Sequence, residues 1–144
     1  MQVRDVLRAK GGRVISIDPE ATVHEAIAKL VQNNIGSLPV ADSSGRLLGM
    51  FSERDVLRGL HQNGEKFQRS HVALVMTANP STCRLDDDVN DVMGLMSDRR
   101  IAKVPVLDGE TLVGIISVGD VIKVMYERVA AENHHLISYI HGTF

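Results

Sequence analysis

The sequence predicts an α+β architecture: two β-α-β-β-α units packed with pseudo-twofold symmetry and followed by an extended C-terminal helix. Three observations lead there. The chain repeats itself, with Pro39-Val40 returning as Pro105-Val106, Gly49 as Gly114, and Ser52-x-x-Asp55 as Ser117-x-x-Asp120. The offset is 66 residues at the prolines and 65 at the serines, so the second copy is one residue shorter in the turn at Ser43-Ser44. Each copy also changes its hydrophobic period in the same order, from strand to helix, to two strands, to helix. Finally, short apolar runs bounded by turn residues read as strands covered by helices on at least one face. Repetition at this period marks duplicated supersecondary units, and two such units facing each other enclose a cleft.

The elements follow in order. Gln2 to Ala9, with Val3, Val6 and Leu7, is expected as a short lead-in helix within residues 1–13. The first unit, residues 14–60, opens with the strand Val14-Ile-Ser-Ile17. Val23, Ala26, Ile27, Leu30 and Val31 then recur at i, i+3, i+4, i+7 and i+8, one helix face, and Thr22 with Glu25 offers a capping box at its start. Ser37 to Ala41 and Leu47 to Phe51 form a hairpin around Asp42-Ser-Ser-Gly45, and a second helix begins after Ser52. Residues 61–80 are a connector. The second unit, residues 81–126, repeats the plan: a strand at Ser81 to Arg84, a helix with Val89, Val92, Met93 and Met96 on one face, strands Lys103 to Leu107 and Leu112 to Ile116 around Asp108-Gly109, and a helix from Val118. That helix is expected to continue through residues 127–144, with Ile122, Met125, Val129, Leu136 and Tyr139 at heptad-like spacing, interrupted by Glu132. Half of its length has no surface to cover within its own unit, and a second subunit is the simplest partner.

Composition excludes several functions. With 144 residues and 44% hydrophobic content the chain can bury a real core. A net charge of −2 gives no general attraction to nucleic acid or to an anionic membrane surface. No apolar run approaches the roughly 18 residues of a membrane span, and no charged-then-apolar leader opens the chain. One cysteine, Cys83, leaves no internal disulfide and fits a reducing compartment, so a cytoplasmic location is expected. Cys83 aligns with Ile17 and reads as a small buried hydrophobe. Asp86-Asp-Asp88 precedes a helix without EF-hand spacing and reads as an N-terminal stabiliser. His134, His135 and His141 lack the i, i+3 or i, i+4 spacing of neighbouring metal ligands and read as surface histidines. No P-loop, GxGxxG or nucleophile–His–Asp order is present, so no enzyme activity, catalytic residue or metal is expected.

The element order, the hydrophobic-Pro-Val of the second strand, the Gly-hydrophobic-hydrophobic-Ser that closes the third and the Asp three residues on resemble the cystathionine β-synthase (CBS) domain. Two in tandem, covering roughly residues 10–126, resemble a Bateman module. The resemblance implies a regulatory module that binds an adenosyl ligand (AMP, ADP, ATP, NAD(H) or S-adenosylmethionine) between its repeats and assembles as a homodimer.

The residues themselves point the same way. Ser52 ends a strand and begins a helix, so its hydroxyl and the free N–H groups of the first turn face an opening where the helix dipole favours phosphate. Asp55 offers oxygens to a ribose diol and Arg54 a cationic fork. Ile35, Gly36, Ser37, Leu38 and Pro39 offer an apolar wall with amide edges to a purine, Gly36 permitting close approach. The second copy answers with Ser117, Asp120 and the wall Ala102, Lys103, Val104 and Pro105, but lacks a counterpart of Arg54; Arg100 and Lys103 are its cations. Ser16 and Thr82, at matching positions in the opening strands, complete the candidate set. One strong site with a weaker or different second one is therefore expected, and the sensor reading as a whole requires that Ser52 and Asp55 open onto a cavity. A simple capping box is the plainer reading of one isolated Ser-x-x-Asp, and its duplication together with the Pro-Val and Gly elements favours binding.

The functional expectation is a non-catalytic sensor that binds an adenine nucleotide, AMP foremost, and signals to an effector protein that the sequence does not identify. Two alternatives stand beside it. One is a structural or dimerisation module with empty clefts. The other is a nucleic-acid binder using Arg99, Arg100 and Lys103, which the scarcity of aromatics for base stacking disfavours.

Overall fold

A computed structural model describes residues 1–11 and 13–140. Two three-stranded sheets, each backed by helices, stand side by side. Helix α1 (Val3–Lys10) comes first, then α2 (Val23–Asn33), the hairpin β1 (Ser37–Ala41) and β2 (Leu47–Ser52), and α3 (Glu53–Asn63). A 3-10 turn, Gly64–Arg69, leads into the short α4 (Val72–Val75) and β3 (Thr77–Ala78). The second half holds β4 (Cys83–Arg84), α5 (Val89–Arg99), the hairpin β5 (Lys103–Asp108) and β6 (Thr111–Ser117), and α6 (Val118–Ile140).

The hairpins have matching registers. Ser37 pairs with Ser52 and Lys103 with Ser117, so in both copies the first residue of one strand lies beside the serine that ends the next. The turns close on Gly45 and Gly109, both at positive φ, where a side chain would be strained. The third strands differ. β3 joins the outer edge of β2, antiparallel, whereas β4 joins β5, parallel. The strand expected over Val14–Ile17 shrinks to a single parallel bridge at Ile17, whose N–H and C=O bond Pro39 and Ala41. Val14 and Ile15 leave the sheet because they wall a cavity instead.

Two apolar cores result, and neither belongs to one copy alone. Ile17, Val23, Leu30, Leu38, Val40 and Phe51 of the first copy pack with Phe67 and Val72 from the connector. Val89, Val92, Met96, Val104, Val106 and Ile116 of the second pack with Val3 and Val6 of α1. Backbone bonds fix the exchange: Val3 N–H to Asp87 O and Val89 N–H to Met1 O at 2.9 Å each, matched by Val23 N–H to Ser70 O and Val72 N–H to Ala21 O at 2.9 and 2.8 Å. The hairpin tips also join across the halves, Leu112 N–H donating to Gly45 O at 2.9 Å beside the bridge from Arg46 to Thr111. Thr22 caps α2 by accepting from Glu25 N–H at 3.2 Å, one half of the expected capping box.

Candidate functional site

The two Ser-x-x-Asp segments fold alike at the backbone and differ at the carboxylate. In each, the serine hydroxyl accepts from the aspartate N–H and the aspartate Oδ2 accepts from the serine N–H. Asp55 is then used up. Ser52 Oγ also donates to its Oδ2 at 3.1 Å, while Thr77 Oγ1 and Arg58 Nη1 donate to Oδ1 at 3.3 and 3.4 Å, leaving the side chain 4% exposed. Asp120 is 21% exposed. Its Oδ2 takes the Ser117 N–H at 3.0 Å and the Lys10 ammonium at 2.9 Å, and among the described residues Oδ1 has no hydrogen-bond partner.

The difference traces to the segments that lie over β2 and β6. Leu7 of α1 covers Gly114 so closely that an added Cβ would stand 2.7 Å from its Cδ1, and Met76 covers Gly49 with its sulfur at the same distance. Beyond that shared contact the copies part. After Met76 the chain becomes β3, which pairs with β2 and brings the Thr77 hydroxyl to Asp55. Helix α1 instead runs on to Lys10, whose ammonium reaches Asp120 and the carbonyl of Ile115 at 3.0 Å, and among the described residues beyond it the first to pair with a strand edge is Ile17.

A cavity of about 390 Å³ fills the space left open. Val14, Ile15, Ile35 and Ser37 line it from the first copy, Lys103, Ile115, Ser117 and Asp120 from the second, and Leu7, Lys10 and Arg13 from the lead-in segment. Its volume suits a small organic ligand. Three cations and one carboxylate line it, so the cavity is electropositive. Burial by itself would raise the Asp120 carboxyl, but the Lys10 ammonium and the Ser117 bonds outweigh it and hold the group below the ordinary carboxylate range.

Five predicted site residues meet at this cavity: Ile35, Ser37, Lys103, Ser117 and Asp120. They come from both copies, whereas the sequence expectation assembled each site from one. The others lie elsewhere. Leu38, Pro39, Val104 and Pro105 are buried within their strands, and Asp55 is buried with Ser52 capping α3. The Ser16 carbonyl accepts from Lys29, and Gly36 abuts the Glu53 carboxylate, 3.3 Å from a Cβ placed there. Arg54, Thr82, Arg100 and Ala102 are exposed, Arg100 as the left-handed residue ending α5. Neither Ser52 nor Asp55 lines this cavity and Asp55 is buried, so the condition placed on the first copy is not met; the Ser-x-x-Asp that meets the cavity is the second. Lys10, Arg13, Val14 and Ile15 were missed by sequence reasoning, because no local pattern tells that the lead-in helix folds onto the opposite copy.

The groups set aside in the sequence have the following places in the structure. Cys83 is buried, and burial followed by the Asp87 charge pushes its thiol up to about 12. Asp87 and Asp88 bond the backbone N–H groups of Arg84 and Asn90 at 2.8 and 2.7 Å, closing the turn before α5. His134 and His135 are exposed and His141 lies outside the described residues. No group of three or more His, Cys, Asp and Glu could hold a metal among the described residues.

Residues 3–62 and 71–127 each match the CBS domain. The chain belongs to the CBS domain family. A CBS-domain containing protein from Agrobacterium tumefaciens has the same fold at a TM-score of 0.79, with 34% identity over 87% of this chain and 99% of that one. The CBS domain pair of protein MJ0100, solved in complex with 5′-methylthioadenosine and S-adenosyl-L-methionine, superposes at 0.75 with 29% identity over 89% of this chain and 98% of that one. In sequence, the mitochondrial CBS domain-containing protein CBSX3 of Arabidopsis thaliana is 29% identical over 99% of this chain and 73% of its own. Each stretch matched to a CBS domain opens with the helix, α1 or α4, that completes the core of the other half. The cavity between the CBS domains is thus built from both and closed by α1.

Proposed function

We propose that this CBS domain pair is a non-catalytic sensor that binds an adenine nucleotide, AMP foremost and ADP, ATP or NAD(H) as alternatives, in the cavity rimmed by Ser117 and Asp120. The observation that carries the reading is the Oδ1 of Asp120, unpartnered among the described residues, on a side chain that lines a cavity of ligand size, where Asp55 has both oxygens engaged. A ribose diol supplies the donors that Oδ1 lacks. Ser117 presents a hydroxyl to a phosphate, and Ile35, Val14 and Ile15 supply apolar surface to a purine. The ligands of the MJ0100 pair share the adenosyl group. Ser52, Arg54 and Asp55 are read as the closed counterpart of the site.

Signalling follows from the composite wall. A ligand touching both halves stabilises one angle between them, and it shifts that equilibrium only by its difference in affinity for the two states. The reading also includes a cytoplasmic homodimer formed along α6 and an effector protein that reads the change. Calorimetry tests the site: Asp120→Asn should weaken AMP binding about tenfold or more, the value of a hydrogen bond to a charged group. Unchanged affinity refutes the assignment. If none of AMP, ADP, ATP, NADH or S-adenosylmethionine raises the melting temperature of the wild type, the cleft is empty and the chain is an interaction module.

A further inference from the structure

We infer that Lys10 is the residue that sets which class of adenosyl ligand this cavity takes, selecting an anionic 5′ group over a neutral or cationic one. The inference rests on the nucleotide reading above and adds to it the identity of the selecting residue and the sign of its selection. An ammonium has three donors in fixed directions. Two are anchored, to Asp120 Oδ2 at 2.9 Å and to the Ile115 carbonyl at 3.0 Å, and the third has no partner among the described residues. The same carboxylate that would hold the ribose therefore fixes the cation beside it, within the radius of one sugar. Arg13 and Lys103 line the same space and Asp120 is its one carboxylate. In the smaller cleft behind Lys10, of about 100 Å³, Lys123 and Glu127 balance each other and leave that excess unchanged. The first copy provides the internal contrast: its aspartate is closed off by the Thr77 hydroxyl and by Arg58 of its own helix, and neither Asp55 nor Arg58 lines the cavity.

A nucleoside 5′-phosphate gains an oriented, partly desolvated cation at this position, and adenosine gains nothing there. S-adenosylmethionine brings a sulfonium against the cluster and is repelled. The chain would then differ in ligand class from the MJ0100 pair, whose bound ligands carry no phosphate.

Calorimetric titration of AMP, adenosine and S-adenosylmethionine into the wild type, Lys10→Met and Lys10→Arg tests this. The wild type should bind AMP about tenfold or more tighter than adenosine, and S-adenosylmethionine weakest. Lys10→Met should cost AMP more affinity than it costs adenosine and so shrink the preference, and Lys10→Arg should restore it. Equal losses for AMP and adenosine in Lys10→Met make Lys10 a structural residue and overturn the inference, as does a wild type that binds S-adenosylmethionine as tightly as AMP. Should adenosine bind in an Asp120-dependent way with no advantage for AMP, this inference falls while the nucleoside site stands. Binding of none of the three to the wild type overturns this inference, and the nucleotide reading falls with it if ADP, ATP and NADH also fail to bind.

Discussion

At the scale of single residues, two aspartates with the same sequence neighbourhood have different chemistry because different third parties reach them. Thr77 and Arg58 saturate Asp55, and Lys10 meets only one oxygen of Asp120. The spacing Ser-x-x-Asp was legible in the sequence, and so was its place where a strand hands over to a helix. Which copy stays open was not, because Thr77 and Lys10 arrive from segments distant in sequence from the aspartates they meet. The depressed Asp120 carboxyl has a consequence for stability. A group whose folded pKa lies below its unfolded value, about 3.9 for Asp, stabilises the fold above that value and loses the contribution as pH falls through the folded pKa. Asp120→Asn should therefore melt below the wild type at neutral pH, and the gap should close below about pH 4. A gap that persists unchanged at pH 3 would show that the charge of Asp120 contributes nothing.

Among the elements, periodicity gave the long helices and both hairpins, since each has a face that a core must cover. The short elements were the obscure ones. The polar connector contains a 3-10 turn and α4, which deliver Phe67 and Val72 to the first core, and two buried residues in a polar stretch leave no period to detect. The strand at Val14–Ile17 was overread for the converse reason: apolar residues facing a cavity look like apolar residues facing a sheet. The 3-10 turn makes a sharp prediction. Gly59 of α3 lies against the Phe67 ring so tightly that an added Cβ would stand 2.1 Å from it, and Phe67 is fully buried. Gly59→Ala must displace the ring or the helix, at about 1–3 kcal/mol, the range for overpacking. Ala is otherwise the better helix former, so denaturant titration has a clear sign to read: a stabilised Gly59→Ala protein would mean that the ring is not held there.

For the molecule as a whole, the unsolved surface is α6. It is 23 residues long, yet Val121 is its one buried residue, and Ile122, Tyr126, Val129, Leu136 and Ile140 stand 54% or more exposed. Ile122, Val129 and Leu136 recur every seven residues, a spacing that keeps one seam of a helix against a partner helix. No helix is long and apolar enough to cross a membrane among the described residues, so a lipid span does not account for the stripe. A second copy of the chain would account for it, because a twofold pairing lays each seam against its own equivalent. The cavity lies at the root of the same helix, since Ser117 and Asp120 begin α6. Occupancy and assembly would then act on one rigid rod, and a tilt imposed at its first turn would be magnified along its length. Val129→Asp places a charge in the middle of the seam, far from the cavity and from both cores. Sedimentation velocity should show the wild type as a dimer and Val129→Asp as a monomer with its AMP affinity retained. A monomeric wild type at micromolar concentration would leave α6 to some other partner and would separate nucleotide binding from self-association altogether.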